Sequence, residues 1–341
     1  MKVDIFRGVE FINRQKEIKY LKNRFSEPPR ELLWLFGPKS TGKTTLIEYL
    51  IETKLPRDYW IKYINFRRSM VGSYDNFIEV FFEEKDEEAQ KELNRKYKLG
   101  IFELEAKTLQ KIKDKKKHLF NELIEELKKI KEVKIIIIDE IQVLENIYFE
   151  EKELLKEFLN FCVSLTKELH LAHVVILSSN TIFINQIYNE AKLKVTSRFV
   201  EINHMDKDVT FEYLELKGIK EKKLVWDYLG GSIAHIQRMI RDYKLYNSLK
   251  EYLENEVELA KGEIEFFMLK KCNSKEITIF ENIIKEIIKN EFYLLDRHIE
   301  NKNEIMKVVE KFAEIEFLFY NPLNNKITAN NRLYYKAFER L

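Results

Sequence analysis

The chain has 341 residues, enough for two or three folded units, and its 45% hydrophobic and 13% aromatic residues can supply their cores. Lys and Arg total 59 against 57 Asp and Glu; the resulting net charge of +2 excludes a globally basic nucleic-acid binder, so any DNA contact has to come from a local patch. No apolar run approaches the ~20 residues of a membrane helix, and the two distant cysteines, Cys162 and Cys272, lack zinc-ligand spacing and fit reduced packing positions.

The first residues carry no apolar signal region, so a cytoplasmic protein is expected. Residues 9–25 (VEFINRQKEIKYLKNRF) open with a short apolar strip, and Asn13 can cap a helix whose stripe is Ile18, Leu21 and Phe25. Such a strip just upstream of a phosphate loop can form an adenine pocket or simply pack on the core.

Leu32 to Phe36 is a continuous apolar run, the mark of a strand buried on both faces. Gly37-Pro38-Lys39-Ser40-Thr41-Gly42-Lys43-Thr44 then fits G-x-x-x-x-G-K-S/T, and Thr45 continues into a helix over about 43–54. Each part has a task. The glycines let successive N–H groups turn inward on a phosphate chain. Lys43 places a charge on the β- and γ-phosphates, and the Thr44 hydroxyl can ligate Mg²⁺. The helix N-terminus points its positive end at the same anion.

Pro56 ends that helix, and Tyr59 to Phe66 reads as a second strand. Arg67 and Arg68 after it belong either to a solvated turn or to a phosphate contact. Residues 73–132 read as charged helices with Leu109, Ile112, Leu119, Leu123, Leu127 and Ile130 at helical spacing. The basic run Lys111–Lys117 is a solvated face or a contact for an acidic partner or nucleic acid.

Lys134 to Glu140 (KIIIIDE) is a central parallel strand with Asp139-Glu140 at its C-terminal end, the edge where open α/β sheets bind phosphates. About 95 residues after a phosphate loop, the pair reads as Asp139 holding Mg²⁺ and Glu140 accepting a proton from the attacking water. A helix is expected at about 150–169, then a strand at Ala172 to Leu177. The strand ends in Ser178-Ser179-Asn180, where Asn180, or secondarily Ser178, can orient the attacking water; a helix cap would equally explain Asn180. After a helix at 181–191, Arg198 precedes a fifth strand, Phe199 to Ile202. It can reach a γ-phosphate in its own or a neighbouring subunit.

Residues 206–260 read as helices, with Asp206 as a cap and Gly230-Gly231-Ser232 as a helix end followed by an N-cap. His235 and Arg238 follow and can form a lid contact. In 262–341, helices at about 275–290 and 300–313 precede Ile315 to Tyr320, a turn, and Lys326 to Thr328. Helices followed by such a hairpin suggest a winged-helix module.

Together, FINRQKEIKYL, GPKSTGKTT, INFR, IIIIDEIQVL, VVILSSN, the SRF segment and the YLGGS turn span residues 9–245, and with them the chain resembles the archaeal ATPase family, AAA-like P-loop proteins close to the STAND ATPases. The resemblance implies a parallel five-stranded α/β sheet in the order 5-1-4-3-2, a helical lid and a C-terminal winged helix, with units at 1–205, 206–261 and 262–341. It implies adenine contacts near Phe11, Ile12, Asn13 and Arg14, and a phosphate-contacting role for Arg198. The expected cofactors are ATP or ADP with Mg²⁺, and the expected activity is slow ATP hydrolysis coupled to movement of lid and winged helix. The choice of adenine over guanine rests mainly on the resemblance, with no guanine-specific N-K-x-D motif present. Partners expected are double-stranded DNA or a protein through the C-terminal unit, and a nucleotide-dependent homo-oligomer. Orc/Cdc6-type initiators share the entry motif, both phosphate motifs and the winged helix; in that alternative Arg238 would supply the lid arginine. A slow nucleotide-dependent scaffold is a further alternative. The chain departs from the archaeal pattern where Ile233 and Ala234, rather than a proline, follow the Gly-Gly turn.

Overall fold

A computed structural model describes residues 3–69, 71–84, 102–104, 106–114, 118–149, 152–181, 183–184, 193–295 and 301–341. In chain order its strands begin with a hairpin, β1 (Val3–Phe6) and β2 (Val9–Ile12), followed by β3 (Leu32–Phe36) and β4 (Trp60–Asn65). A short parallel pair, β5 (Phe82–Glu84) and β6 (Phe102–Leu104), precedes β7 (Lys134–Asp139). A small hairpin, β8 (Tyr148–Phe149) and β9 (Lys152–Glu153), leads to β10 (His173–Ser178) and β11 (Ser197–Glu201). The last three are β12 (Tyr293–Leu294), β13 (Leu318–Asn321) and β14 (Lys326–Ala329).

Five strands, all parallel, form the central sheet in the order β11-β3-β10-β7-β4. Numbered within the sheet this is 5-1-4-3-2, the order the family resemblance implies. The central strands β3, β7 and β10 are largely apolar because both faces are covered, whereas the edge strands β4 and β11 carry Lys62 and the exposed Arg198; the apolar residues divide by alternation. Leu32, Trp34, Phe36, Ile136, Ile138, Val174 and Ile176 join one core, under the helices Tyr74–Glu79, Leu119–Lys129 and Leu154–Val163. Leu33, Leu35, Ile135, Ile137, Val175 and Leu177 join the other, under the helices Gln15–Ser26 and Lys43–Thr53.

The register fixes where chemistry can occur. Asp139 pairs with Asn65 of β4 and Leu177 of β10, and Ser178 pairs with Phe36. The C-terminal ends of β3, β4, β7 and β10 are therefore level, and the phosphate loop rises from that edge.

Several local expectations change. Asn13 does not cap the first helix: both Asn13 and Arg14 lie in the left-handed region (φ 58° and 63°), and Arg14 takes the cap position without a side-chain cap bond. Within 73–132 the chain is not helical throughout. β5 and β6 interrupt it, because Phe102 stacks on Trp60 at 5.5 Å and lies 6.0 Å from Phe82, extending the apolar cover; residues 85–101 and Lys115–Lys117 lie outside the described residues. The helix expected from 150 starts at Leu154, after β8 and β9, and most of the 181–191 helix is outside the described residues.

The C-terminal portion holds helices Ser274–Asn290 and Lys302–Glu314 and an antiparallel sheet ordered β12-β14-β13. The expected hairpin is present, and Tyr293–Leu294 adds a third strand. Its first helix carries a full capping box, Asn273 with Glu276. The boundary expected at 261/262 falls inside one helix, Leu249–Lys271. One apolar cluster also runs from Met205 through Tyr213, Leu253 and Ile264 to Phe312 and Phe338, so lid and tail share a core.

Candidate nucleotide site

The loop after β3 is held by backbone geometry that only glycine satisfies at two points. Gly37 has φ 149°, and a Cβ there would stand 2.2 Å from the Ile202 carbonyl oxygen. The reason is sheet pairing continued past β11: the Ile202 N–H donates to the Phe36 oxygen at 2.7 Å. Gly42, with φ 83°, caps the helix Lys43–Thr53 and turns the loop into it.

Lys43 opens that helix, with only 8% of its surface exposed. Its Nζ donates to the Gly37 oxygen at 3.0 Å and the Pro38 oxygen at 2.9 Å, so the ammonium sits inside the loop's curve. Burial lowers its pKa to about 8, against the opposing pull of the Asp139 and Glu140 charges. Thr41 Oγ1 donates to the Pro38 oxygen at 3.0 Å, bracing the same turn.

Thr44 Oγ1 lies 3.1 Å from Asp139 Oδ2. A hydroxyl and a carboxylate from two different elements thus converge beside Lys43, and hard oxygen donors of this kind suit Mg²⁺, which keeps several waters and takes the rest of its shell from phosphate. No cluster of three or more His, Cys, Asp or Glu among the described residues offers an all-protein metal cage. Asp139 is held by neighbours on β4: the Tyr63 hydroxyl donates to Oδ2 at 2.8 Å, and Asn65 Nδ2 approaches it at 3.5 Å. Burial first, then the Asp139 charge, drives the Tyr63 pKa far up, so it remains a donor.

Glu140 follows at φ 59°, a left-handed residue that turns the chain off the sheet edge. Its Oε2 is 2.8 Å from Arg67 Nη2 and accepts from Gln142 Nε2 at 2.6 Å. Of the two arginines after β4, Arg67 is therefore in the site.

Arg14 ties the N-terminal strip to the loop. Its Nη2 donates to the Thr41 and Asn203 oxygens, both at 2.7 Å, and its Nη1 to Glu17 at 2.9 Å. Beside it opens a cleft of about 210 Å³ lined by Ile12, Asn13, Arg14, Asn203, His204 and Met205, among others. Phe11 faces the other way, stacked on Tyr49 at 3.9 Å in the core. His204 presents Nε2 to the Asn330 oxygen at 2.9 Å and leaves Nδ1 buried without a partner; burial lowers its pKa, which keeps that nitrogen an acceptor.

The Asn180 carbonyl side-chain oxygen accepts from the Phe183 N–H at 3.0 Å, the geometry of a helix cap, although the residue does stand at the β10 end. Ser178 is buried and bonds within the same turn. Arg198 is exposed and pairs with Leu33, three residues before the loop end of β3. At about 3.3 Å per residue this sets it on the order of 10 Å back from its own loop. Arg238 pairs with Glu256 at 3.3 Å, and His235 Nδ1 meets Ser232 Oγ at 2.8 Å. Both are engaged within the helices that follow the sheet.

Sequence reasoning missed Tyr63, Gln142 and His204. A signal existed for Tyr63: it is two residues before Asn65, hence on the same strand face. It missed, too, the C-terminal portion against the loop. Lys39 forms an ion pair with Glu316, and Asn321 Nδ2 donates to Glu201 at 2.9 Å. A second cleft, about 520 Å³, lies between Pro38, Gly230-Gly231 and Asn330 to Arg332.

The model of an ATPase domain predominantly from Archaea matches residues 11–239, from the N-terminal strip through the Gly-Gly turn. The chain belongs to the archaeal ATPase family. Relatives of the family agree along the whole length. An uncharacterized ATP-binding protein of Methanocaldococcus jannaschii, MJ1076, is 31% identical over 331 residues, covering 94% of this chain and 95% of its own. Another, from Pyrococcus abyssi, is 29% identical over 346 residues, covering 97% and 98%. A solved Walker-type ATPase of Pyrococcus abyssi shares the fold with TM-score 0.61 at 15% identity, covering 99% of both chains. Among the described residues no helix is long and apolar enough to cross a membrane.

Proposed function

We propose that this archaeal ATPase binds ATP and hydrolyses it slowly with Mg²⁺, as a switch that repositions its lid and C-terminal unit. The observation that carries the reading is the 3.1 Å approach of Thr44 to Asp139 beside the buried Lys43. Those groups would hold a magnesium–triphosphate, and the metal would neutralise charge on the transferring phosphoryl group. Lys43 and the loop amides bind and orient the phosphates. Glu140, which follows Asp139 at the sheet edge, takes the proton of the attacking water once its carboxylate is released from Arg67 and Gln142.

The adenine is assigned to the cleft at Ile12 to Arg14, whose Ile12, Met205 and Val209 offer apolar surface for the base. The ATP-binding names of the relatives support that choice. Arg198, set back and exposed on the edge strand, acts on a neighbouring chain's nucleotide rather than its own. We read the three-stranded C-terminal unit as a winged helix docked on the loop through Lys39–Glu316, so loop occupancy and docking are coupled.

The test is Glu140→Gln with steady-state turnover and ATP affinity measured together. Turnover should fall by about 100-fold or more with affinity retained, in line with loss of a general base. Unchanged turnover rules out Glu140 as the base.

A further inference from the structure

The helix Leu249–Lys271 buries one face, including Leu253, Val257, Ala260 and Ile264. Its opposite face is apolar too. Leu259, Phe266 and Leu269 are 58%, 64% and 78% exposed, with the exposed Gly262 between them. The spacings of three, four and three residues place these four on one line along the helix, the seam of a helix pair. An ideal Cβ at Gly262 meets no atom within 4 Å, so the middle of the seam is an open notch. A glycine inside a helix costs roughly 1 kcal/mol relative to alanine, and among the described residues nothing approaches it closely enough to require one.

The stripe is self-complementary. Turned about a two-fold axis at residue 264, Leu259 of one copy meets Leu269 of the other, and Phe266 enters the notch over Gly262. An isologous contact needs this reciprocity, and a heterologous partner does not. The flanking charges agree on balance. The same rotation brings Lys261 toward the second copy's Glu265 and Lys270 toward its Glu256, each pair occurring twice, while Glu263 and Glu265 each face their own copy once across the axis. Within one chain Lys261 and Glu265 are already 3.5 Å apart, and Glu256 also meets Arg238.

We propose that two copies of this chain associate antiparallel through the outer face of the Leu249–Lys271 helix. The contact does not involve the nucleotide site, and it holds whether or not the nucleotide reading does. A single helix pair is a small contact, below the ~1,200 Å² of standard specific interfaces, so a reversible rather than an obligate dimer is expected.

The full-length protein tests this by sedimentation equilibrium between about 1 and 100 µM, the range suited to so small a contact. Wild type should pass from monomer to dimer. Phe266→Glu should weaken association by about tenfold or more. Gly262→Leu fills the notch at a solvent-facing site and should do the same with the fold intact by circular dichroism. Orientation is read in a Cys272→Ser background. A mixture of Leu259→Cys and Leu269→Cys chains should give the disulfide-linked heterodimer on oxidation, while Leu259→Cys alone should not cross-link. A monomer throughout, a dimer indifferent to Phe266→Glu, or 259-to-259 cross-linking overturns the proposal; a monomer would leave the stripe to a different protein.

Discussion

Arg67 Nη2 stands 2.8 Å from Glu140 Oε2, the same oxygen that Gln142 holds. An oxygen already held by two donors is not free to turn to an attacking water, and removing Arg67 releases one of those holds. Arg67→Ala is therefore expected to raise single-turnover ATP hydrolysis by roughly two- to fivefold without changing ATP affinity. Reduced hydrolysis in that variant would show that Arg67 assists the reaction instead of restraining the base.

Tyr63 positions Asp139 from the neighbouring strand, through a hydroxyl bond of 2.8 Å. Removing such an outer partner typically weakens metal binding by about 10- to 100-fold. For Tyr63→Phe, titration of Mg²⁺ against ATP turnover should show a higher half-saturating concentration at little cost in stability. An unchanged Mg²⁺ requirement would leave Tyr63 as packing.

Lys39 and Glu316 join the phosphate loop to the C-terminal unit across half-exposed surface, and such pairs contribute about 0–1 kcal/mol. The energy is small, but the position couples two states. Glu316→Ala should tighten ATP binding by up to about fivefold, as followed by isothermal calorimetry. If affinity is unmoved, loop and tail are not linked through this pair.

Gly231 is required by a close backbone approach. A Cβ there would lie 1.9 Å from the Met205 oxygen, and the Met205 N–H donates to the Gly231 oxygen at 3.0 Å. Gly231→Ala should cost about 2–4 kcal/mol, read as a lower thermal midpoint in the presence and absence of ATP alike. A loss confined to ATP affinity would instead make the turn a nucleotide contact.

His173 begins β10 and lies edge-on to Phe25 at 5.4 Å. Burial lowers its pKa from 6.5 to about 4. Between those values the unfolded chain binds the extra proton, so this stability is complete above pH 6.5 and is lost as pH falls toward 4. His173→Gln should flatten the fall in thermal midpoint over that window, removing a stability slope of at most about 1.4 kcal/mol per pH unit. An identical slope in the variant would place the pH dependence in other groups.

The sequence by itself determined the sheet and the phosphate machinery. The apolar runs at Leu32–Phe36 and Ile135–Ile138 are of strand length, the second all isoleucine, and lead into a phosphate loop and an acidic pair, which reads as strands covered on both faces; the spacing of Gly37, Gly42, Lys43 and Thr44 is local chemistry that needs no distant partner. Asp139 and Glu140 were legible because a strand end in a parallel sheet fixes their edge. Contacts between segments far apart in the chain were not legible. Tyr63 reaches Asp139, Arg67 reaches Glu140, and Glu316 reaches Lys39 only because sheet register and packing bring them together. The tertiary structure likewise turned Phe11 into the core, gave Asn180 a capping bond and set Arg198 back from its own loop. Periodicity states which face of an element is buried; which neighbour covers it is decided by the fold of the whole chain.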